Sequence, residues 1–184
     1  MDTLQIAVVV GSLRKESLNR HLATALAGMA PQDLRFEALR IDDLPLYNQD
    51  DDAAPAEPVR RMKTQIAASQ GLLFVTPEYN RSIPGVLKNA IDHASRPYGQ
   101  NAWAGKPAGV IGASIGSIGT ACAQQHLRTV LGYLDVPTLG QPEAFIHAKQ
   151  GFFDDQGRVA SEDSRKFLQT WMDKYVAFVR QHQG

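Results

Sequence analysis

The chain is short of cysteine and carries no excess charge of either sign. Its 184 residues include one cysteine, Cys122, so no disulfide can form within the chain and a reducing compartment is expected. Nineteen basic residues balance nineteen acidic ones, which argues against a nucleic-acid surface because such surfaces need a basic excess. No apolar run approaches the ~18–20 residues of a membrane span, and the first run is too short for a signal peptide. These absences favour a cytoplasmic protein with no nucleic-acid partner and no membrane insertion.

Apolar runs and helix-like periodicities alternate along the chain. Hydrophobic residues make up 43% of it, enough for a sizeable core, and the length favours one domain over residues 1–184. Strands are predicted at residues 4–10, 34–41, 71–76, 107–113 and within 136–146. Helices are predicted at residues 17–29, 59–69, 85–94, 120–134 and 161–181, and an irregular excursion at 42–58. This alternation is typical of an α/β protein with a parallel sheet and helices on both faces.

The predicted topology brings three unusual loops together. The GxGxxG spacing of dinucleotide-binding folds is absent after the first strand, which favours a flavodoxin-like three-layer αβα sandwich with a five-stranded parallel sheet in the order 2-1-3-4-5. Strands 1, 3 and 4 are neighbours in that order, and their carboxyl ends share one edge. The loops after these strands should therefore line one pocket.

The first of these loops combines the donors that a phosphate needs. Residues 12–19 read Ser-Leu-Arg-Lys-Glu-Ser-Leu-Asn and lead into a predicted helix, whose N-terminus offers unpaired N–H groups and a partial positive charge. Ser12 and Ser17 add hydroxyls. Arg14 adds a guanidinium that can make two parallel bonds, and Asn19 adds an amide. The glycine-lysine pattern of a triphosphate loop is missing, which favours a monophosphate, although a capped helix with solvated cations fits the same residues.

The second loop suits a flat ring system edged with donors and acceptors. Residues 77–80 read Pro-Glu-Tyr-Asn and follow a buried strand. Pro77 and Pro84 limit backbone freedom, so Tyr79 and Asn80 would be held in place before a ligand arrives. A turn with Tyr79 packed on the surface fits the same pattern.

The third loop, residues 114–119, reads Ser-Ile-Gly-Ser-Ile-Gly. Gly116 and Gly119 would let the backbone approach a ligand closely, and Ser114 could bond a ring edge. A plain turn fits the same residues, so this loop is evidence for a ligand site only in combination with the other two loops.

Two further patterns are weaker. Cys122 and Arg128 have the CxxxxxR spacing of a thiol phosphatase, but that chemistry needs the cysteine in a loop of converging N–H groups after a strand, and here it falls in a predicted helix. The five histidines are scattered without metal-ligand spacing. Lys88, Asp92 and His93 are expected to serve surface or subunit contacts.

Three strings carry a resemblance to a known family: GSLRKESLNR at residues 11–20, TPEYNRSIPGVLKNAIDHASRP at 76–97 and ASIGSIGT at 113–120. In these strings the chain resembles the NADPH-dependent FMN reductase family, and within it the bacterial quinone and chromate reductases. The resemblance covers nearly the whole chain.

The resemblance implies an FMN-dependent oxidoreductase that forms a homodimer or homotetramer. NADPH or NADH would pass hydride through bound FMN to a small-molecule acceptor such as a quinone, a flavin, an azo compound or an oxidised metal anion such as chromate. No catalytic side chain and no metal are implied. The cofactor-binding residues are then expected to be Ser12, Leu13, Arg14, Lys15, Glu16, Ser17, Leu18, Asn19, Pro77, Glu78, Tyr79, Asn80, Ser114 and Gly116.

Two positions depart from the family pattern, and two other uses of the fold remain as rivals. His93 stands where relatives often carry Trp, and Glu16, where they often carry Gly, places a negative charge beside the phosphate loop. A flavodoxin-type electron carrier is disfavoured because such carriers tend to be strongly acidic. A receiver-type signalling domain needs an acidic pair after the first strand and an Asp after the third, where Gly11-Ser12 and Pro77-Glu78 stand.

Overall fold

The computed structural model describes residues 3–183, over which the chain forms five strands and five α-helices. The strands are β1 (Leu4–Val10), β2 (Leu34–Ala38), β3 (Gly71–Val75), β4 (Ala108–Ser114) and β5 (Phe145–His147). The helices are α1 (Leu18–Met29), α2 (Glu57–Ala68), α3 (Gly85–Ala94), α4 (Ala121–Tyr133) and α5 (Glu162–Gln181). A short 3-10 helix, Gln49–Asp51, precedes α2.

The strands form one parallel sheet in the order β2-β1-β3-β4-β5. The predicted strand order and the flavodoxin-like αβα sandwich are therefore confirmed. Because β1, β3 and β4 are neighbours and run in the same direction, the loops that follow them emerge at one edge of the sheet.

Helices cover both faces of the sheet and divide the core into two layers. α1 and α5 pack on one face, and α2, α3 and α4 pack on the other. In the first layer the rings of Trp171 and Tyr175 stack with centroids 5.6 Å apart. The Tyr175 hydroxyl donates to the carbonyl of Leu72 at 2.8 Å, and burial raises the pKa of Tyr175 well above its usual value. The buried hydroxyl thus ties α5 to β3 at the centre of the sheet.

Three element boundaries differ from the predicted ones by two residues or more. β2 ends at Ala38 rather than at residue 41, because the chain turns away there and Arg40 pairs with Asp42 at 3.0 Å. The last strand is only Phe145–His147, since the segment before it contains Pro137 and Pro142, which cannot donate to a strand ladder. α2 begins at Glu57, two residues earlier than predicted, with a proline tolerated in its first turn.

Candidate functional site

The three loops that follow β1, β3 and β4 meet at a cleft of about 580 Å³ at the carboxyl edge of the sheet. The cleft is lined by Ser12, Arg14, Ser17, Leu18, Asn19, Pro77, Glu78, Tyr79, Ala113, Ser114 and Ile115. The topology alone predicts this convergence, and the structure places residues of all three loops around one opening.

The loop between β1 and α1 presents donors that the rest of the described chain leaves free. Within residues 3–183 the backbone amides of residues 12–16 donate no hydrogen bond. Ser12 is only 5% exposed, yet within the same residues its hydroxyl has no hydrogen-bond partner. Ser17 caps α1, since its hydroxyl accepts from the amide of Arg20 at 3.3 Å. Arg14 forms no ion pair with any described carboxylate. Together these groups give the N-terminus of α1 a set of free donors and a positive charge, an arrangement that can bind an anion.

Asn19 fastens the start of α1 to β4. Its side-chain nitrogen donates to the carbonyl of Ala113 at 2.9 Å, and its side-chain oxygen accepts from the amide of Ala113 at 2.8 Å. Both bonds are buried. The Asn19 amide is therefore used mainly to set the spacing between two walls of the cleft.

A close backbone approach lies beneath the cleft at Gly112 of β4. A Cβ atom at this position would lie 2.1 Å from the carbonyl oxygen of Thr76 and 2.4 Å from the hydroxyl oxygen of Thr120. Neither neighbour leaves room, so only glycine allows β4 to pack here against the end of β3.

The loop after β3 forms a tight turn. Tyr79 and Ser82 exchange two backbone hydrogen bonds of 3.0 Å each, and the two residues between them, Asn80 and Arg81, have φ values of 51° and 64°. Two consecutive left-handed residues are the signature of a type I′ turn. The turn fixes where the Tyr79 ring stands, half exposed at the cleft.

Glu78 links this turn to α4. Its side chain is only 6% exposed and lies 3.2 Å from the guanidinium of Arg81. Its other carboxylate oxygen accepts from the amide of Ala123 at 3.1 Å, where α4 begins without a side-chain cap from Thr120. Glu78 thus caps α4 from another loop, and its charge compensates the positive end of that helix.

The loop after β4 closes the third side of the cleft. The Ser114 hydroxyl accepts from the amide of Gly116 at 3.1 Å, which folds the loop back while leaving the hydroxyl free to donate. Ile115 is 79% exposed beside it. The loop therefore combines a hydroxyl donor with an apolar rim.

Nine of the fourteen predicted site residues line the cleft, and five do not. Those that do not are Leu13, Lys15, Glu16, Asn80 and Gly116. Two lining residues, Ala113 and Ile115, were missed by the sequence reasoning. Both are immediate neighbours of Ser114, so their adjacency to a predicted residue was the available signal.

His93 is buried against the backbone of its own chain, so the expectation of a surface contact is wrong for this residue. His93 is 8% exposed, and its Nε2 lies 2.8 Å from the carbonyl oxygen of Pro45. Asn89, one turn earlier on α3, donates to the same carbonyl at 2.8 Å. The two side chains hold the excursion between β2 and α2 against α3, a contact over more than forty residues that local patterns do not reveal.

A second cleft, of about 730 Å³, lies between that excursion and α3. Its lining mixes Asp51 and Asp52 with Lys63 and Arg96, so it favours no ligand charge. The Lys63 ammonium donates to the backbone carbonyls of Arg96 and Gln100, and burial lowers its pKa. These bonds make Lys63 a structural cation rather than a free ligand group.

Cys122 lies in the first turn of α4 and is half buried. A phosphatase thiolate needs converging free amides, but the amide of the next residue, Ala123, already donates to Glu78. The structure therefore supports a packing role for Cys122.

Over residues 3–183, no cluster of His, Cys, Asp or Glu side chains has the make-up of a metal site. None of the helices there has the length and apolarity of a membrane span.

The sheet has the flavodoxin-like strand order, and a donor-rich helix start and an aromatic side chain meet at its carboxyl edge. This arrangement is typical of mononucleotide-binding α/β proteins. Comparison with known families narrows that class. The family described as NADPH-dependent FMN reductase matches residues 4–151, and the chain belongs to this family. It is accordingly a flavin-dependent NAD(P)H oxidoreductase with FMN as its cofactor.

Individual relatives agree with this assignment along the whole chain. A 2-hydroxy-1,4-benzoquinone reductase of a Burkholderia species is 58% identical over 177 residues, which cover 96% of this chain and 97% of the relative. The structure of a flavoenzyme NAD(P)H:(acceptor) oxidoreductase from Paracoccus denitrificans superposes with a TM-score of 0.93 at 47% identity, covering 97% of this chain and 98% of that one. A flavodoxin, WrbA-like protein of Agrobacterium tumefaciens shares the fold, with a TM-score of 0.64 at 16% identity and coverage of 99% and 100%.

Proposed function

We propose that the cleft binds FMN with its phosphate in the β1–α1 loop and its ring between the loops after β3 and β4. The observation that carries this proposal is the unused donor set at the start of α1. It comprises free amides over residues 12–16, the nearly buried and unpartnered Ser12 hydroxyl, and the unpaired Arg14 guanidinium. A terminal monophosphate supplies the acceptor oxygens and negative charge that these groups lack.

The residues around the cleft divide into those that would contact FMN and those that set its shape. Ser12, Arg14 and Ser17 would bond the phosphate, and the Tyr79 ring would cover part of the flavin. Asn19 and Glu78 are engaged with β4 and α4, so their side chains hold the walls at a fixed distance. Six of the fourteen predicted residues thereby receive a task, and the other eight stay site candidates.

When bound, FMN supplies the redox chemistry by accepting two electrons from a reduced nicotinamide and passing them to an acceptor. The chain contributes position and electrostatics. Arg14 offsets the phosphate charge, and the amides at the start of α1 add a partial positive charge of roughly half a unit. The exposed side chains of Tyr79 and Ile115 form an apolar rim at the mouth of the cleft.

The apolar rim supports a quinone-type acceptor, because a flat, weakly polar ring can stack there and exclude water. The chain's 58% identity to a protein named 2-hydroxy-1,4-benzoquinone reductase supports the same acceptor class. Steady-state oxidation of NADPH and of NADH by the FMN-loaded protein, with and without a benzoquinone, tests the proposal. Quinone-dependent turnover is expected with at least one nicotinamide, and its absence with both would contradict the function. Flavin-free protein is the control.

We further propose that residues 1–184 form one cytoplasmic domain that assembles as a homodimer or homotetramer. A single cysteine supports a reducing compartment, and the shared sheet supports one cooperative unit. Light scattering on the purified protein tests the assembly, and coincident urea transitions by fluorescence and circular dichroism test the single domain. Fractionation of the source cells tests the location.

A further inference from the structure

The turn between Tyr79 and Ser82 is held in a conformation that its own residues do not favour. Asn80 and Arg81 have φ values of 51° and 64°, and neither is a glycine. Asparagine tolerates the left-handed region better than most residues, but arginine has no such advantage. Backbone of this kind persists only where the surroundings hold it.

α4 forms hydrogen bonds with residues at both ends of the turn. Before the turn, the Glu78 carboxylate accepts from the amide of Ala123 at 3.1 Å. At its end, the Ser82 hydroxyl lies 3.0 Å from Nδ1 of His126. Ala123 and His126 are three residues apart on α4, so they lie on the same helix face. α4 therefore holds both ends of the turn at a fixed distance from each other.

The Tyr79–Ser82 turn has two backbone amide donors without a partner in the described part of the protein. Within residues 3–183, the amides of Asn80 and Arg81 donate no hydrogen bond. Both sit beside Tyr79, which lines the cleft. A small rotation of the turn would move these two amides and the Tyr79 ring together.

We propose that His126 is a positioning residue for the flavin site. Acting through Ser82 and together with the Glu78 cap, it fixes the Tyr79–Ser82 turn against α4 and so sets the position of the Tyr79 ring at the cleft. This inference rests on the proposed function, since it concerns how FMN is received. His126 is exposed and lies on α4, outside the cleft lining.

The flavin-free protein provides the first test. The amides of Tyr79 and Ser82 are bonded to each other's carbonyls, so their hydrogen exchange reports how often the turn opens. His126→Ala is expected to speed exchange at these two amides at least fivefold. His126→Asn should restore it, because an asparagine amide can present a donor or an acceptor near the Nδ1 position. Gln125→Ala is the matched control, since Gln125 lies next on α4 and bonds Glu143 instead.

FMN affinity and the reduction potential of the bound flavin provide the second test. His126→Ala and Ser82→Ala are each expected to weaken FMN binding about threefold to tenfold, the effect of one lost hydrogen bond. The double variant should be no weaker than either single one, because both changes remove the same contact. The potential should shift in His126→Ala and return in His126→Asn.

The outcomes separate this inference from the proposed function. Wild-type exchange and affinity in His126→Ala, or additive losses in the double variant, would overturn the positioning role even if wild-type protein binds FMN tightly. If wild-type protein binds no FMN, the proposed function fails by itself, and the exchange experiment still decides whether His126 holds the turn.

Discussion

Arg14 and Lys15 are adjacent exposed cations, but only Arg14 lines the cleft. Arg14→Ala is expected to weaken FMN binding about tenfold to a hundredfold, since losing a bond to a charged group costs roughly 1.5–3 kcal/mol. Lys15→Ala, which removes the same charge one residue away, is the matched control and should have the smaller effect. Fluorescence titration of the flavin-free proteins measures both, and equal affinities for wild type and Arg14→Ala would contradict the phosphate assignment.

Substitution of Cys122 tests whether a thiolate takes part in the reaction. Flavin-based electron transfer needs no thiolate, so Cys122→Ser should keep nearly full NAD(P)H-dependent turnover with a quinone. The thiol-phosphatase alternative predicts the reverse because its nucleophile would be gone. Steady-state rates at saturating FMN, with circular dichroism as the folding control, decide the matter. A folded variant that binds FMN but loses more than about a hundredfold in turnover, close to 3 kcal/mol of barrier, would show that the chemistry is wrongly assigned.

At the scale of elements, Asn19 joins α1 to β4. Asn19→Ala would leave the amide and carbonyl of Ala113 buried without their present partners, and each unpaired buried group costs roughly 1–3 kcal/mol. We expect a clear drop in the free energy of unfolding and weaker FMN binding. Urea titration measures the first, and Gln156→Ala, at an exposed position, is the control. A variant as stable as wild type would show that this link does not hold the cleft together.

The elements themselves were largely predictable from the sequence. The buried runs before Gly11 and Pro77 and the periodicity after Ser17 depend on local patterns, and strand order follows from general rules of α/β folds. The links between elements were not predictable in this way. The Glu78 carboxylate accepts a hydrogen bond from the amide of Ala123, 45 residues later in the chain. The Asn19 side chain bonds Ala113, 94 residues later. The loops that carry the site could be named from the sequence, whereas the side chains that only hold those loops could not be distinguished from ligand contacts.

At the scale of the whole molecule, the cofactor limits what the protein can do. The proposed phosphate site uses a single helix start, α1, and the glycine-bearing loop of residues 114–119 lines the same cleft, so it offers no separate site for the adenylate half of FAD. The cleft therefore fits a mononucleotide. The chain carries nineteen residues of each sign and so lacks the net acidic excess that flavodoxin-type carriers tend to have, which favours direct reaction at the cleft over a carrier role.

The most direct measurement is anaerobic visible spectroscopy of the purified, flavin-loaded protein. Flavin released by heat should run as FMN on chromatography. Adding NADPH or NADH should bleach the flavin band of the intact protein, and a benzoquinone added next should restore it. A bound flavin that proves to be mainly FAD, a protein that binds no flavin after reconstitution, or a bound FMN that neither nicotinamide bleaches would contradict the account.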